Sequence, residues 1–181
     1  MTADFYLDLK KYLLDNGYAY EIDWQTNIEP VCDSWTLRDE TIWVILNSGM
    51  KEQIARMIWE RIRTAWADDK PTSSAFGHKG KVAAIDYVRA NCGNIFSEYY
   101  DAVDKVEYLQ TIPFIGSITK YHLAKNLGHD VVKPDRHLVR IAKDYGFNDC
   151  NDLCLKLSRE TGDKVSVVDI VLWRSANLRR V

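Results

Sequence analysis

The chain has 181 residues, 46% hydrophobic and 12% aromatic, with 24 Lys and Arg against 26 Asp and Glu for a formal net charge of −2. This composition excludes disorder and suffices for one compact body or two small lobes; the near-neutral balance excludes a global field for nucleic acid, so any such contact must come from a local patch. No stretch approaches the ~20 apolar residues of a membrane span, "MTADFYLDLKKYLL" alternates charge with apolar residues instead of building a signal core, and Cys32, Cys92, Cys150 and Cys154 lack the dense spacing of a disulfide scaffold, so the chain reads as soluble and cytoplasmic.

Helical periods run through nearly the whole sequence. Phe5, Leu9 and Leu13 recur at i, i+4, i+8, and Ile54, Ile58, Ile62 and Ala65 do the same inside "KEQIARMIWERIRTAW". The longest loop-like stretch, "ADDKPTSSAFGHKG" at 67–80, follows. Val82, Ile85 and Val88 then predict a helix opened at "HKGK" and closed at "NCG", with Gly93 as a left-handed cap. Val103, Val106 and Leu109 give an apolar face before "IPFIG", and Leu123, Ala124 and Leu127 give another after it. That turn therefore joins two packed helices. Leu138, Ile141, Ala142 and Tyr145 predict a helix stopping at Gly146, and in "SVVDIVLWRSANL" Ser166 precedes Asp169 by three residues, a relative of the capping box. Strand-like alternation is nearly absent, so the expected fold is all-α, with nine or ten short helices and no flexible linker.

Two places carry chemistry. In "IPFIGSITK" Pro113 fixes φ, Gly116 permits close backbone approach, and a helix starting at about Ser117 would aim free amides out of the turn, with Ser117, Thr119 and Lys120 beside them. Such a helix start suits a phosphate. Nineteen residues beyond Gly116, Asp135 stands where the next helix needs an N-cap. Read alone, it is a cap; read with the hairpin one helix and one short loop away, it is also a candidate catalytic carboxylate.

"LQTIPFIGSITKYHLAKNLGHDVVKPDRHLVRIA" resembles the signature of the helix-hairpin-helix DNA glycosylases: a Leu-Pro-Gly-x-Gly hairpin, an apolar helix, a short loop, then Asp-x-His/Tyr-apolar-x-Arg/Lys. Asp135, His137, Leu138 and Arg140 match its second half, and "IWVILNSGMKEQIARMIWERI" and "GKVAAIDYV" resemble earlier helices of the family in the right order, from about residue 42 to residue 146. The resemblance implies a two-lobed helical fold with a cleft between the lobes, here 1–30 plus 131–181 and 31–130. It implies double-stranded DNA as partner to a monomer, a base flipped from the stack, and Asp135 stabilising the sugar cation as a damaged or modified base departs. Phe114, Gly116, Ser117, Thr119, Lys120 and Arg140 would contact DNA. Asn47 or Met50 would supply the wedge; Trp43, Tyr99 and Tyr100 read as base-pocket or simply buried aromatics, and His137 as a cleft-edge or packing residue. By their charge, Arg174, Arg179 and Arg180 form either a solvated face or a local basic patch.

The chain departs from the family in ways that carry expectations. Lyase-competent members place a Lys two residues after the second hairpin Gly; here that position is Ile118, and Lys120 lies ~200° further around a helix. A monofunctional enzyme leaving an abasic site is expected, with Lys133, beside Asp135, the residue able to upset this. Phe114 replaces the first hairpin Gly. Cys150 and Cys154 are too few to ligate an iron–sulfur cluster, and His78, His122, His129 and His137 form no close metal pair, so no cofactor is expected, though the hairpin leaves room for a monovalent cation. Alkylated purines or bulky modified pyrimidines of phage DNA fit as substrates, the latter in a phage-defence setting. The alternatives are a transferase hypermodifying phage pyrimidines on the same fold, and a non-catalytic DNA-binding module in which Asp135 only caps.

Overall fold

The computed structural model describes residues 1–181 and is all-α. Ten α-helices follow in order: α1 (Ala3–Asp15), α2 (Ala19–Asn27), α3 (Ser34–Asn47), α4 (Glu52–Ala67), α5 (Lys79–Asp101), α6 (Lys105–Leu109), α7 (Thr119–Asn126), α8 (Arg136–Asp144), α9 (Cys150–Thr161) and α10 (Val165–Asn177), with one 3₁₀ turn at Thr72–Ser74. Side-chain oxygens of Thr2, Asp33, Asp104, Asp135 and Asp149 cap α1, α3, α6, α8 and α9, satisfying amides that a helix start leaves open.

The chain divides into two compact units, Met1–Pro30 with Ala124–Val181, and Val31–Leu123. Each is built around a helix buried on most of its sides, as an apolar stretch without a polar stripe requires. In the middle unit that helix is α3, with Leu37, Ile42, Ile45 and Leu46 fully buried against α4 and α5. In the unit of the chain ends it is α10, whose Val167, Val168, Val171 and Leu172 meet Tyr6, Leu9 and Leu13 of α1 and Leu153 and Leu157 of α9. The second junction falls inside α7, seven residues earlier than the sequence reading placed it. Long-range polar contacts explain the difference: Lys125 pairs with Asp169 of α10, and Asp130 Oδ1 accepts the Ser166 amide at 2.8 Å, tying residues 124–130 to the chain-end unit. Gly128, at φ +90°, lies so close to the segment ending that unit's first part that a Cβ there would sit 2.6 Å from the Glu29 carbonyl oxygen.

Several local expectations are corrected. In α1 the core residue is Tyr6 and Phe5 is exposed; in α4 Ala55, Ile62 and Ala65 are buried and Ile54 is exposed. Val103 is fully exposed before α6. Gly93 caps nothing, because α5 continues through it to bury Ile95 and Tyr99. Nothing lies within 4 Å of a Cβ built on this helical glycine, so Gly93→Ala is expected to stabilise the fold by about 0.8–1 kcal/mol, read as a higher midpoint in urea unfolding. The capping box at Ser166 does not form: α10 begins at Val165 with no side-chain cap of its own, Asp130 serves the Ser166 amide instead, and Asp169 is engaged elsewhere.

Candidate functional site

The hairpin begins as a tight turn in which the Ile115 amide donates to the Ile112 carbonyl at 3.0 Å. Pro113 takes its second position and Phe114 its third, at φ 71°, the left-handed conformation that a type II turn normally assigns to Gly. Holding a Phe there costs on the order of 1–2 kcal/mol. Ile112 and Ile115 are buried and pin the turn, while Phe114 stands 42% exposed at its tip, packed edge-on to His78 with ring centroids 5.9 Å apart. The turn therefore keeps the backbone shape that a first hairpin Gly would allow and adds an aromatic ring to its tip.

The helix after the turn starts at Thr119, two residues later than expected. Thr119 Oγ1 accepts the Gly116 amide at 2.7 Å, and the Lys120 amide donates to the Gly116 carbonyl at 3.0 Å, leaving the exposed amides of Ser117 and Ile118 without a protein acceptor. Lys120 does not join them. It is buried and paired with Glu107 of α6, so its charge is already matched and it leaves the expected DNA-binding group. Ile118 is exposed at 41%.

The structure places a second cation beneath the hairpin tip that the sequence reading did not assign. Lys81, in the first turn of α5, is buried and donates to the carbonyl oxygens of Leu46 at 2.8 Å and Ser48 at 2.7 Å, with its ammonium 5.8 Å from the Phe114 ring centroid. Burial lowers its pKa. Two carbonyls at the end of α3, which no helical amide could reach, are thus satisfied by one ammonium. In the same unit, Asn47 and Met50 lie half-buried in this turn, Trp43 is half-buried with Arg56 5.4 Å from its ring, Tyr99 is buried and Tyr100 is 67% exposed.

In the other unit, Asp135 does what a cap does, with one oxygen. Its Oδ1 accepts the amides of His137 at 2.9 Å and Leu138 at 3.2 Å, while Oδ2 has no protein donor. The carboxylate is half-buried and rigidly held by α8, yet one oxygen stays available. Its own amide donates to the Lys133 carbonyl at 2.7 Å, closing a tight turn around Pro134. The fully buried Asp169 braces that turn from α10. Its Oδ2 accepts the Lys133 amide at 2.6 Å, and its Oδ1 pairs with Lys125. Burial pushes the Asp169 carboxyl up, and the Lys125 ammonium works against that push. Nothing in local spacing announces this brace, since Asp169 follows Lys125 by 44 residues.

The remaining expected contacts are placed less centrally. His137 is half-buried and its Nε2 accepts from Arg136 at 3.4 Å. Arg140 is exposed and bonded to Asp144 at 3.0 Å and to the Val181 carbonyl at 2.9 Å. Of the basic chain end, Arg174 is removed from any patch by its bidentate pairing with Glu21, one bond of which is 2.9 Å, and by stacking on Tyr18 and Trp173. Cys150 and Cys154 are core residues, and burial pushes the Cys150 thiol up to about 12. No helix is long and apolar enough to cross a membrane.

The arrangement of helices recurs in a solved structure. The 8-oxoguanine glycosylase/lyase of Methanocaldococcus jannaschii, crystallised with a 15mer DNA containing 8-oxoguanine, matches 97% of this chain and 99% of its own with a TM-score of 0.67. The chain has that glycosylase's fold. Sequence identity is 17%, so the likeness lies in architecture and not in residue-by-residue correspondence. No protein-family model matches the chain, and no curated protein matches it.

Proposed function

We propose that the protein is a monofunctional DNA glycosylase that draws a damaged or modified base out of the duplex and hydrolyses its N-glycosidic bond, leaving an abasic site. The observation that carries this reading is the division of Asp135, with Oδ1 committed to the cap and Oδ2 free, in a chain sharing its fold with an enzyme crystallised on DNA. As the base departs, the sugar becomes an oxocarbenium ion, and a fixed carboxylate oxygen beside it stabilises that charge without reorganising. The same oxygen can orient the water that adds to the sugar. The exposed Ser117 and Ile118 amides suit a backbone phosphate, and the Phe114 ring at the hairpin tip suits apolar contact with the strand. Ile118 at the position of the family's amine, and Lys120 turned to Glu107, support water as the nucleophile.

The reading is tested by incubating the protein with duplexes containing 8-oxoguanine, alkylated purines, or hydroxymethylated and glucosylated pyrimidines, then cutting abasic sites with mild alkali. Strand breaks that appear only after alkali, with one or more of these bases, are the expected result. Absence of base release from every duplex would overturn the reading. If mass is instead added to hydroxymethyl-pyrimidine DNA, the protein is a base-modifying transferase, and binding without either change would make it a DNA-binding module.

A further inference from the structure

Lys133 is the one lysine beside Asp135 whose amine is uncommitted. Lys125 pairs with Asp169, whereas no carboxylate lies within ion-pairing distance of Lys133 Nζ and its ammonium donates no hydrogen bond. Its backbone is fixed at both ends: the amide by Asp169 at 2.6 Å, the carbonyl by the Asp135 amide at 2.7 Å. The side chain is half-buried, so the amine is neither sequestered in the core nor freely solvated.

We propose that Lys133 captures the abasic product as an imine, holding it at the carboxylate that produced it. The proposal rests on the excision reading only for the place of Asp135. Once the base is gone, the sugar equilibrates between its closed ring and an open-chain aldehyde at C1′. The neutral amine adds to that carbon, its nitrogen forming the new bond while the carbonyl oxygen leaves as water. Hydrolysis of the C=N bond returns aldehyde and amine unchanged. No C–O bond to phosphate breaks, so the strand stays intact and the excision remains monofunctional.

An amine does this chemistry only when unprotonated, and the surroundings shift Lys133 in that direction. Burial lowers the Lys133 pKa, Lys125 lowers it further, and the charges of Asp135 and Asp169 oppose them without prevailing. The two free functional atoms of the turn, Lys133 Nζ and Asp135 Oδ2, flank Pro134, so amine and carboxylate are carried by one rigid segment. Capture would shield a reactive aldehyde and slow product release.

The test uses the full chain and duplex DNA with a preformed abasic site, so no base excision is needed. Sodium cyanoborohydride, which reduces an imine to a stable amine, should yield a covalent protein–DNA adduct on an uncut strand, mapping to the peptide that contains Lys133. Lys133→Arg, which keeps the charge and disturbs no hydrogen bond, should lose at least tenfold in adduct while retaining abasic-DNA binding. No adduct from the unaltered protein, an adduct that persists in Lys133→Arg, or one mapped to another lysine would overturn the proposal. Base release without an adduct sinks capture alone, whereas an adduct without base release from any duplex sinks excision alone.

Discussion

Asp135→Asn is expected to slow base release on the order of 10²–10³-fold, the loss that follows removal of one pre-organised electrostatic contact to a developing charge. The unfolding midpoint should barely move. Asn caps helices about as well as Asp, and its carbonyl oxygen can accept the His137 and Leu138 amides as Oδ1 does now. The substitution therefore removes the negative charge at Oδ2 and keeps the geometry around it. Asp135→Ala makes the complementary measurement: it removes both functions and should also cost about 1 kcal/mol of stability. Single-turnover rates on the best substrate, read beside urea unfolding, separate the two. If Asp135→Asn releases base as fast as the unaltered protein, Asp135 is a cap and nothing more.

The second large effect lies in the brace behind that turn. Lys125→Met is expected to destabilise the protein by about 3–5 kcal/mol, because it leaves the buried Asp169 without its ion-pair partner. For a chain of this size, each kcal/mol moves the melting midpoint by about 2–4 °C, so a drop near 10 °C is expected. The pH dependence supplies an independent check. Without Lys125, burial raises the Asp169 carboxyl in the folded state above the ~3.9 of an unfolded Asp, so the folded state binds the extra proton and stability falls as pH rises through that window. The deficit relative to the unaltered protein should accordingly be smaller at pH 5 than at pH 8. An equal deficit at both would mean that Asp169 stays ionised through other donors. The Lys133 amide, already bonded to Oδ2, is the first of these to consider.

Most helices were legible because they bury one face, and one face leaves a period that neighbours three and four apart reveal. Asp135 was legible as a cap for the same local reason. What escaped is decided at a distance. Lys120 lies thirteen residues from Glu107, and no spacing rule joins them, yet their pairing removes an expected phosphate contact. The Ser166 and Asp169 spacing suggested a capping box, but a buried Lys125 claims Asp169 more strongly than an exposed helix start could. Gly93 looked like a stop signal, and the ~1 kcal/mol it costs inside a helix is outweighed by the burial of Ile95 and Tyr99 beyond it. Phe114 was visible as a departure, while its left-handed backbone was not: an L-residue other than Gly, Asn or Asp carries no sequence sign that a turn will impose positive φ. The readiness of Lys133 was half legible, since its nearness to Asp135 could be read from the chain but its lack of a partner could not.

The division of the chain also bears on how the protein is made. Helix α1 packs its Tyr6, Leu9 and Leu13 against α9 and α10, whose residues lie at the other end of the sequence. On the ribosome, Val31–Leu123 emerges whole and can fold as soon as it clears the exit, while the apolar face of α1 waits, uncovered, for helices not yet synthesised. Helix α1 is thus translated well before the helices that cover it, and the exposed interval before α10 arrives is where chaperones would be expected to hold this chain.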